Sequence, residues 1–192
     1  MDQNTCYNQI LYPPGRILLW FIIFLELITF GIGMIGLAYY GWLEPVLFYE
    51  SSFQHNKVFG TLNTLILLSS GYSMARAVST FQEKKKDQAI RYLKWTALGG
   101  ILFAGFKSWE YYEKLSLGLD MGENTFFTFY WLLTGFHLIH VLVGLVILGW
   151  TLFKMKLSNT ATTKGDLQSV GVFWHMCDLI WLLLFPSLYL IW

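Results

Sequence analysis

Two histidines lie within an apolar stretch of the sequence, Phe126–Trp150. His137 and His140 are three residues apart, so a helix would place both imidazoles on one face. The stretch is longer than the roughly 20 residues that a helix needs to cross the hydrocarbon layer of a membrane. Ionisable side chains at that depth are costly unless they face the protein interior and have partners there. The sequence therefore predicts a membrane-spanning helix inside a bundle, with its imidazoles directed toward other polar side chains.

Other ionisable residues in apolar stretches are the candidate partners, and with the two histidines they form the predicted buried polar network. An isolated carboxylate on the first apolar stretch would be protonated or paired. It could act as a proton relay or as a structural hydrogen-bond partner. Four of the candidates form two pairs with i,i+3 spacing, at which side chains on one helix can interact. The candidates are Glu26, Lys107, Glu110, His175 and Asp178.

The histidines and carboxylates also supply the ligand types of a metal or haem site. A bis-histidine haem would need two of His137, His140 and His175 to face the same group. A histidine-rich di-iron site would need more histidines in the spans than the sequence contains, because His55, the fourth histidine, lies in a loop. We therefore expect neither metal ligands nor catalytic residues in this chain. The alternative is a self-standing membrane metalloenzyme or haem carrier that uses those three histidines.

The composition is that of an integral membrane protein. Hydrophobic residues make up 55% of the 192 residues and charged residues 13%, against about 25% charged in soluble proteins. A net charge of +1 gives no sign of a nucleic-acid partner. Five apolar segments are long enough to span a membrane, so we expect one all-α domain over residues 1–192, a bundle of five transmembrane helices. The predicted spans are 17–40, 58–80, 94–114, 126–152 and 170–192.

Basic residues are unevenly distributed between the predicted loops. The loops at 81–93 and 153–169 are rich in lysine, whereas those at 41–57 and 115–125 carry mainly acidic residues. Since loops rich in lysine and arginine stay on the cytoplasmic side, we predict a cytoplasmic amino terminus and a carboxyl terminus outside. Lys114, at the outer end of the third span, is expected to extend its amine to the membrane surface.

The depth of Glu26 in the membrane favours one histidine as its partner. With a rise of 1.5 Å per residue, Glu26 lies about 14 Å from the predicted cytoplasmic end of its span. His140 lies roughly 18 Å from the cytoplasmic end of its own span, and His137 about 22 Å. We therefore predict that Glu26 hydrogen-bonds one of these two histidines, and depth favours His140.

Five segments of the chain resemble one protein family in the same order along the sequence. The first contains Glu26, the third contains Lys107 and Glu110, and the fourth contains His137 and His140. The family is subunit III of the haem-copper oxidases, whose signatures T-G-F-H-x-x-H-V and W-H-x-x-D-x-x-W match the fourth and fifth segments. The segments are Gly15–Gly31, Leu62–Gly71, Phe106–Glu113, Thr134–Val141 and Trp174–Trp181.

The resemblance implies the short, five-helix bacterial form of this subunit, without the two additional amino-terminal helices of the seven-helix form. Segments 129–135 and 184–189 resemble the branch associated with nitric oxide reductases more than the quinol-oxidase branch. The implied location is the bacterial cytoplasmic (inner) membrane, which the chain would cross several times.

The resemblance also implies a function. Subunit III has no redox centre and binds beside a catalytic subunit that holds the haem and metal, here of a respiratory haem-copper oxidase or a nitric oxide reductase. In the oxidases it is held to sustain proton uptake and stability during turnover, and its phospholipid-containing cleft is a proposed entry route for oxygen. We therefore expect an accessory subunit without a cofactor of its own, with structural phospholipid against the first two spans. Basic groups attract anionic head groups at the inner leaflet, and the candidates are Arg16, Arg76 and Arg91.

Overall fold

The computed structural model describes residues 17–157 and 162–192, and six helices account for most of them. This confirms the predicted all-α class. Each of the first four predicted spans lies within one helix, and the fifth continues past the end of its helix at Tyr189. The helices are α1 (Ile17–Leu43), α2 (Pro45–Ser52), α3 (Lys57–Gln82), α4 (Lys86–Ser116), α5 (Thr125–Leu157) and α6 (Lys164–Tyr189).

The short helix α2 lies where the sequence predicts only a loop, at 41–57. Pro45 occupies its first turn, which suits proline because an N–H there would have no helical partner. Phe48 is fully buried, and its ring packs edge-on against the rings of Phe126 and Trp192. A helix of eight residues needs such tertiary packing to be stable, which explains why its sequence alone gives little sign of it.

Helix α6 is the central helix of the bundle. It packs against α1, α3 and α5, while α3 and α4 form a hairpin and α4 also packs against α5. Trp174 of α6 fits between α4 and α5, where glycines leave room for its indole. A Cβ added at Gly100 would lie 2.6 Å from that indole, and one at Gly144 would lie 3.0 Å from it. Small residues allow the helix backbones to approach closely. In a membrane, where lipid is as apolar as the side chains, such close packing drives the association of helices.

Three of the helices in the described residues are long and apolar enough to cross a membrane by length and composition. They are α1 from Leu19 onward, α5 and α6. Helices α3 and α4, with 26 and 31 residues, are also long enough, but they contain more polar and charged residues. The chain is thus a helical membrane bundle, and its five-span topology and orientation stay predictions.

Candidate functional site

A lysine on α4 forms a cluster with side chains of two neighbouring helices. The ammonium nitrogen of Lys107 lies 3.1 Å from Oε2 of Glu110, 3.0 Å from the hydroxyl of Tyr130 and 2.7 Å from the hydroxyl of Tyr189. Both hydroxyls donate to Oε1 of Glu110, at 2.8 and 2.6 Å. We call these four residues the lysine cluster. It connects α4, α5 and α6.

The hydrogen bonds at the centre of the lysine cluster are satisfied. An ammonium group has three donors, and each one reaches an oxygen atom. The Lys107 side chain is 1% exposed, and the Glu110 carboxylate balances its charge, as a buried cation requires. Four aromatic rings surround the ammonium, with centroids 4.7 to 5.4 Å away, and their faces favour a cation. The cluster is therefore a closed, neutral unit that fixes three helices relative to one another.

Lys114 does not extend to the membrane surface, so that prediction is wrong. The residue is 3% exposed. Its ammonium donates to the backbone carbonyl of Gln54 at 3.3 Å and lies 5.0 Å from the centroid of the Tyr130 ring. The connection between α2 and α3 supplies this carbonyl. A hydrogen-bond acceptor and an aromatic face inside the protein thus replace the water that the amine would find at the surface.

His55 lies in the connection between α2 and α3 and is 5% exposed. Its ring centroid lies 4.7 Å from that of Tyr130 and 5.1 Å from that of Tyr189, and the first two phenylalanines of α5 also contact it. Burial, and then the positive charge of Lys114, lower the pKa of His55 to about 3. The imidazole is therefore neutral at physiological pH and belongs to the aromatic core.

Glu26 of α1 pairs with His140 of α5, with 3.1 Å between Oε1 and Nε2. The other ring nitrogen, Nδ1, lies 2.8 Å from the backbone carbonyl of Phe136, which can only accept a hydrogen bond. Nδ1 therefore carries a proton, and a neutral imidazole in this tautomer has only a lone pair at Nε2. A carboxylate could not hydrogen-bond to that lone pair. A hydrogen bond across this contact would need one further proton, on Oε1 or on Nε2, and a pair with that proton is neutral overall whichever atom holds it.

His137 does not take part in this pair. It is fully buried, and its ring stacks on Trp181 with 5.2 Å between centroids, while Phe103 contacts it edge-on. Within the described residues, neither ring nitrogen of His137 has a hydrogen-bond partner, and Oε2 of Glu26 also lacks one. We call Glu26, His137 and His140 the histidine cluster. Unlike the lysine cluster, it contains unpaired buried polar atoms.

A third polar pair lies on α6. Nδ1 of His175 is 3.1 Å from Oδ2 of Asp178. Asp178 is buried against Gly71 of α3, where an added Cβ would collide with the carboxylate. Its Oδ1 has no hydrogen-bond partner in the part of the chain that the structure describes. The His175 side chain, by contrast, is 47% exposed, so the pair joins a buried carboxylate to an imidazole at the surface of the bundle.

The histidines of the predicted spans do not converge on one point. His137 faces aromatic rings, His140 faces a carboxyl group of α1, and His175 faces a carboxylate of its own helix. Among residues 17–157 and 162–192, no three His, Cys, Asp or Glu side chains are grouped as metal ligands would be. These three histidines therefore do not form the shared metal or haem site that the alternative function requires.

Two of the predicted head-group residues lie toward the end of the α3–α4 hairpin where the chain turns, and Arg16 lies outside the described residues. Arg76 is exposed, and its guanidinium lies 5.7 Å from the centroid of the Tyr92 ring. Arg91 is also exposed and, with Lys94, lines a groove of about 310 Å³. The turn end of the hairpin is therefore basic.

The phenol groups that complete the lysine cluster are missing from the sequence-based candidates. Tyr130, Thr134 and His137 follow one another at helical spacing in the apolar stretch, so they share one face of α5, and Thr134 accepts a hydrogen bond from Tyr111 at 2.8 Å. This spacing is the signal that could have found Tyr130. Tyr189 has no such signal, because its role depends on how α6 packs against α4.

The fold and these clusters define a polytopic helical membrane protein whose buried polar side chains connect its helices. A model of the family "Cytochrome c oxidase subunit III" matches residues 51–192. Curated relatives include cytochrome c oxidase subunit 3 of Branchiostoma lanceolatum, 32% identical over 132 residues, of Danio rerio, 31% over 129, and of Coturnix japonica, 35% over 130. Each alignment covers 67% of this chain and 48% of the relative.

The chain therefore belongs to the cytochrome c oxidase subunit III family, as its five sequence segments predict. It spans about half the length of the curated relatives it matches.

Proposed function

We propose that the chain is a non-catalytic accessory subunit of a respiratory haem-copper oxidase or nitric oxide reductase complex, in which the catalytic partner holds the haem and metal. The match to the subunit III family over residues 51–192 carries this proposal. The separate environments of His137, His140 and His175 support it, since no two of them face a common ligand position. The subunit would support the assembly and stability of the catalytic subunit and its access to protons and gaseous substrate.

The proposed subunit crosses the bacterial cytoplasmic membrane five times, with its amino terminus inside. Helices α3 and α4 supply the two further spans, and the lysine-rich turn between them, at 83–86, lies on the cytoplasmic side. Segments 129–135 and 184–189 favour a nitric oxide reductase as the particular complex. A reporter fused after Trp192 tests the orientation: we expect activity from a reporter that works only outside the cytoplasm, and activity from a cytoplasmic one would contradict it.

A structural phospholipid is part of the proposal, at a groove between the second and third predicted spans and not against the first two. A groove of about 310 Å³ between α3 and α4 is lined by leucines and by small residues, among them Ser69 and Gly99. Trp95 lines both this groove and the one beside Arg91 and Lys94. An acyl chain fits the apolar groove, and an anionic head group would then lie at its basic end. Replacing both basic residues by glutamine should reduce the anionic lipid that co-purifies, and unchanged lipid content would contradict this assignment.

The histidine cluster supports a role in proton access. Two titratable groups, the Glu26 carboxyl and the His140 imidazole, lie 3.1 Å apart, and the buried Oε2 of Glu26 has no partner in the described residues. A carboxyl group with a free oxygen can pass its proton to a group of a neighbouring subunit without breaking a second hydrogen bond.

The accessory function is tested by purifying the tagged chain from its native membrane under mild conditions. We expect a haem-containing catalytic subunit to co-purify, identified by its absorption spectrum and by mass spectrometry. Deleting the gene should shorten the lifetime of that enzyme during turnover while leaving its haem content intact. Purification of the chain alone, with an unaffected oxidase in the deletion strain, would contradict the proposal.

A further inference from the structure

One face of α6 remains exposed although this helix is central to the bundle. The residues of this face recur every three or four positions and therefore lie in one line along the helix. Helices α1, α3 and α5 pack against α6 and leave this line exposed or half-buried. We call this line the α6 stripe. It consists of Gln168, Val172, His175, Leu179, Leu182 and Pro186, all exposed or half-buried.

His175 is the ionisable group on the α6 stripe. It lies five positions after residue 170, where the predicted fifth span begins, or about 8 Å from the predicted cytoplasmic boundary along the helix axis. An imidazole side chain is shorter than this distance, so His175 lies inside the predicted span. Its side chain is 47% exposed, and hydrocarbon offers no hydrogen bond to it. A polar group at this depth needs a polar partner or a water-filled cavity.

The Asp178 carboxyl group fixes how the His175 ring is presented. Because Nδ1 is engaged with Oδ2, Nε2 is left on the exposed side of the ring, where it needs a hydrogen-bonding partner in either protonation state of the pair.

The exposed face of α4 differs in chemistry from the α6 stripe. Ile101 and Leu102 are 58% and 44% exposed there. Both side chains are aliphatic and are compatible with lipid, which offers apolar contact and no hydrogen bonds. The requirement for a protein partner therefore falls on the α6 stripe and not on this face.

We propose that the catalytic subunit docks on the α6 stripe, with one of its transmembrane helices lying along the stripe and a polar side chain of that helix hydrogen-bonded to Nε2 of His175. This inference rests on the proposed function, which supplies a membrane-embedded partner. A hydrogen-bonding helix complements the stripe because it can satisfy Nε2 of His175, whereas acyl chains cannot.

Site-specific photo-crosslinking tests the contact directly. A photoreactive amino acid replaces Leu179 on the stripe or, as a matched control, Ile101 on α4, and the tagged chain is crosslinked in its native membrane. We expect the Leu179 probe to form a covalent product with the haem-containing subunit, and the Ile101 probe to form none. A product between two copies of this chain, or crosslinking only from Ile101, would overturn the inference. Absence of any haem-containing partner in the purified wild-type complex would instead overturn the proposed function, and the inference with it.

Substitution of His175 tests the hydrogen bond. His175→Phe keeps a ring but removes Nε2, whereas His175→Gln keeps a polar group of similar reach. We expect the phenylalanine variant to bind the catalytic subunit about three-fold to about twenty-fold more weakly, the range for hydrogen bonds within membranes, and glutamine to restore part of the loss. Thermal stability of each chain in detergent, measured in parallel, identifies a variant that fails to fold. Equal binding by two folded variants and the wild type would show that His175 makes no such bond.

Discussion

The lysine cluster and the histidine cluster are both buried between helices, yet they differ in how completely their hydrogen bonds are satisfied. In the first, each donor of Lys107 has an acceptor, and Glu110 balances its charge. In the second, Glu26 and His137 keep unpaired polar atoms within the described residues. A satisfied network rigidifies a core, whereas unpaired buried groups are costly. The first cluster thus fixes helices, and the second is a polar site with hydrogen-bonding capacity left to use.

The largest effect is expected from breaking the lysine cluster. Lys107→Met leaves the Glu110 carboxylate without its cation and should lower the free energy of unfolding by about 3–5 kcal/mol, as is typical when one partner of a buried ion pair is removed. The double variant Lys107→Met/Glu110→Gln should be more stable than the single one because the uncompensated charge is gone. Denaturation in detergent, followed by circular dichroism, measures both.

Lys85→Met is the matched control for this change. Lys85 also pairs with a glutamate, Glu83, at 2.7 Å, but both side chains are more than half exposed. Exposed pairs contribute little because water screens them, so we expect no measurable loss. If the Lys85 and Lys107 variants lost the same stability, the lysine cluster would not fix the helices.

The next effect depends on pH and concerns His55, beside the lysine cluster. Its pKa is about 3 in the folded chain, against an ordinary value of 6.5. Between these values the unfolded state binds more protons, so stability is fully present above about pH 6.5 and falls by about 1.4 kcal/mol for each pH unit below it. His55→Phe should remove this part of the pH dependence. Thermal midpoints at about pH 7 and about pH 5 measure it, and an identical pH dependence in wild type and variant would refute the burial argument.

The smallest effect on stability is expected in the histidine cluster, where the substitutions remove a hydrogen bond within the overall neutral Glu26–His140 pair. A double-mutant cycle with Glu26→Ala and His140→Ala should give a coupling of about 0.6–1.7 kcal/mol, the range for membrane hydrogen bonds. Glu26→Gln should cost less than Glu26→Ala, because an amide N–H can still donate to Nε2. A coupling of several kcal/mol would indicate that the proton resides on Nε2, so that an imidazolium and a carboxylate form a buried ion pair.

His137→Phe supplies the control for that cycle. Its ring stacks on Trp181 and makes no bond to Glu26, so its effect should add to that of Glu26→Ala within about 0.3–0.5 kcal/mol. Coupling of His137 in place of His140 would mean that the pairing described here is incorrect.

Contacts within one helix could be predicted from the sequence, whereas most contacts between helices could not. The i,i+3 spacing places Lys107 next to Glu110, and counting residues from the membrane boundary favours His140 over His137 as the partner of Glu26. The position of Lys114 was predicted incorrectly. Its direction depends on a carbonyl supplied by a distant connection, and no local pattern encodes how helices rotate against one another.

The rest of the fold follows the same division. The long helices could be predicted from the length of their apolar segments, because a membrane-spanning helix needs about 20 such residues. Helix α2 could not be predicted in this way, because it depends on Phe48 packing between two rings that come from other parts of the chain. The partners Tyr130 and Tyr189 bring α5 and α6 to Lys107, and their choice likewise depends on tertiary packing.

The central proposal is that this chain supports a redox enzyme without holding a redox centre itself. It is tested most directly by haem and metal analysis of the purified native complex and of the chain separated from it. The account predicts stoichiometric haem and metal in the complex and none in the separated, folded chain. Stoichiometric haem or metal that stays with the chain, and is lost when His137, His140 or His175 is replaced, would contradict it.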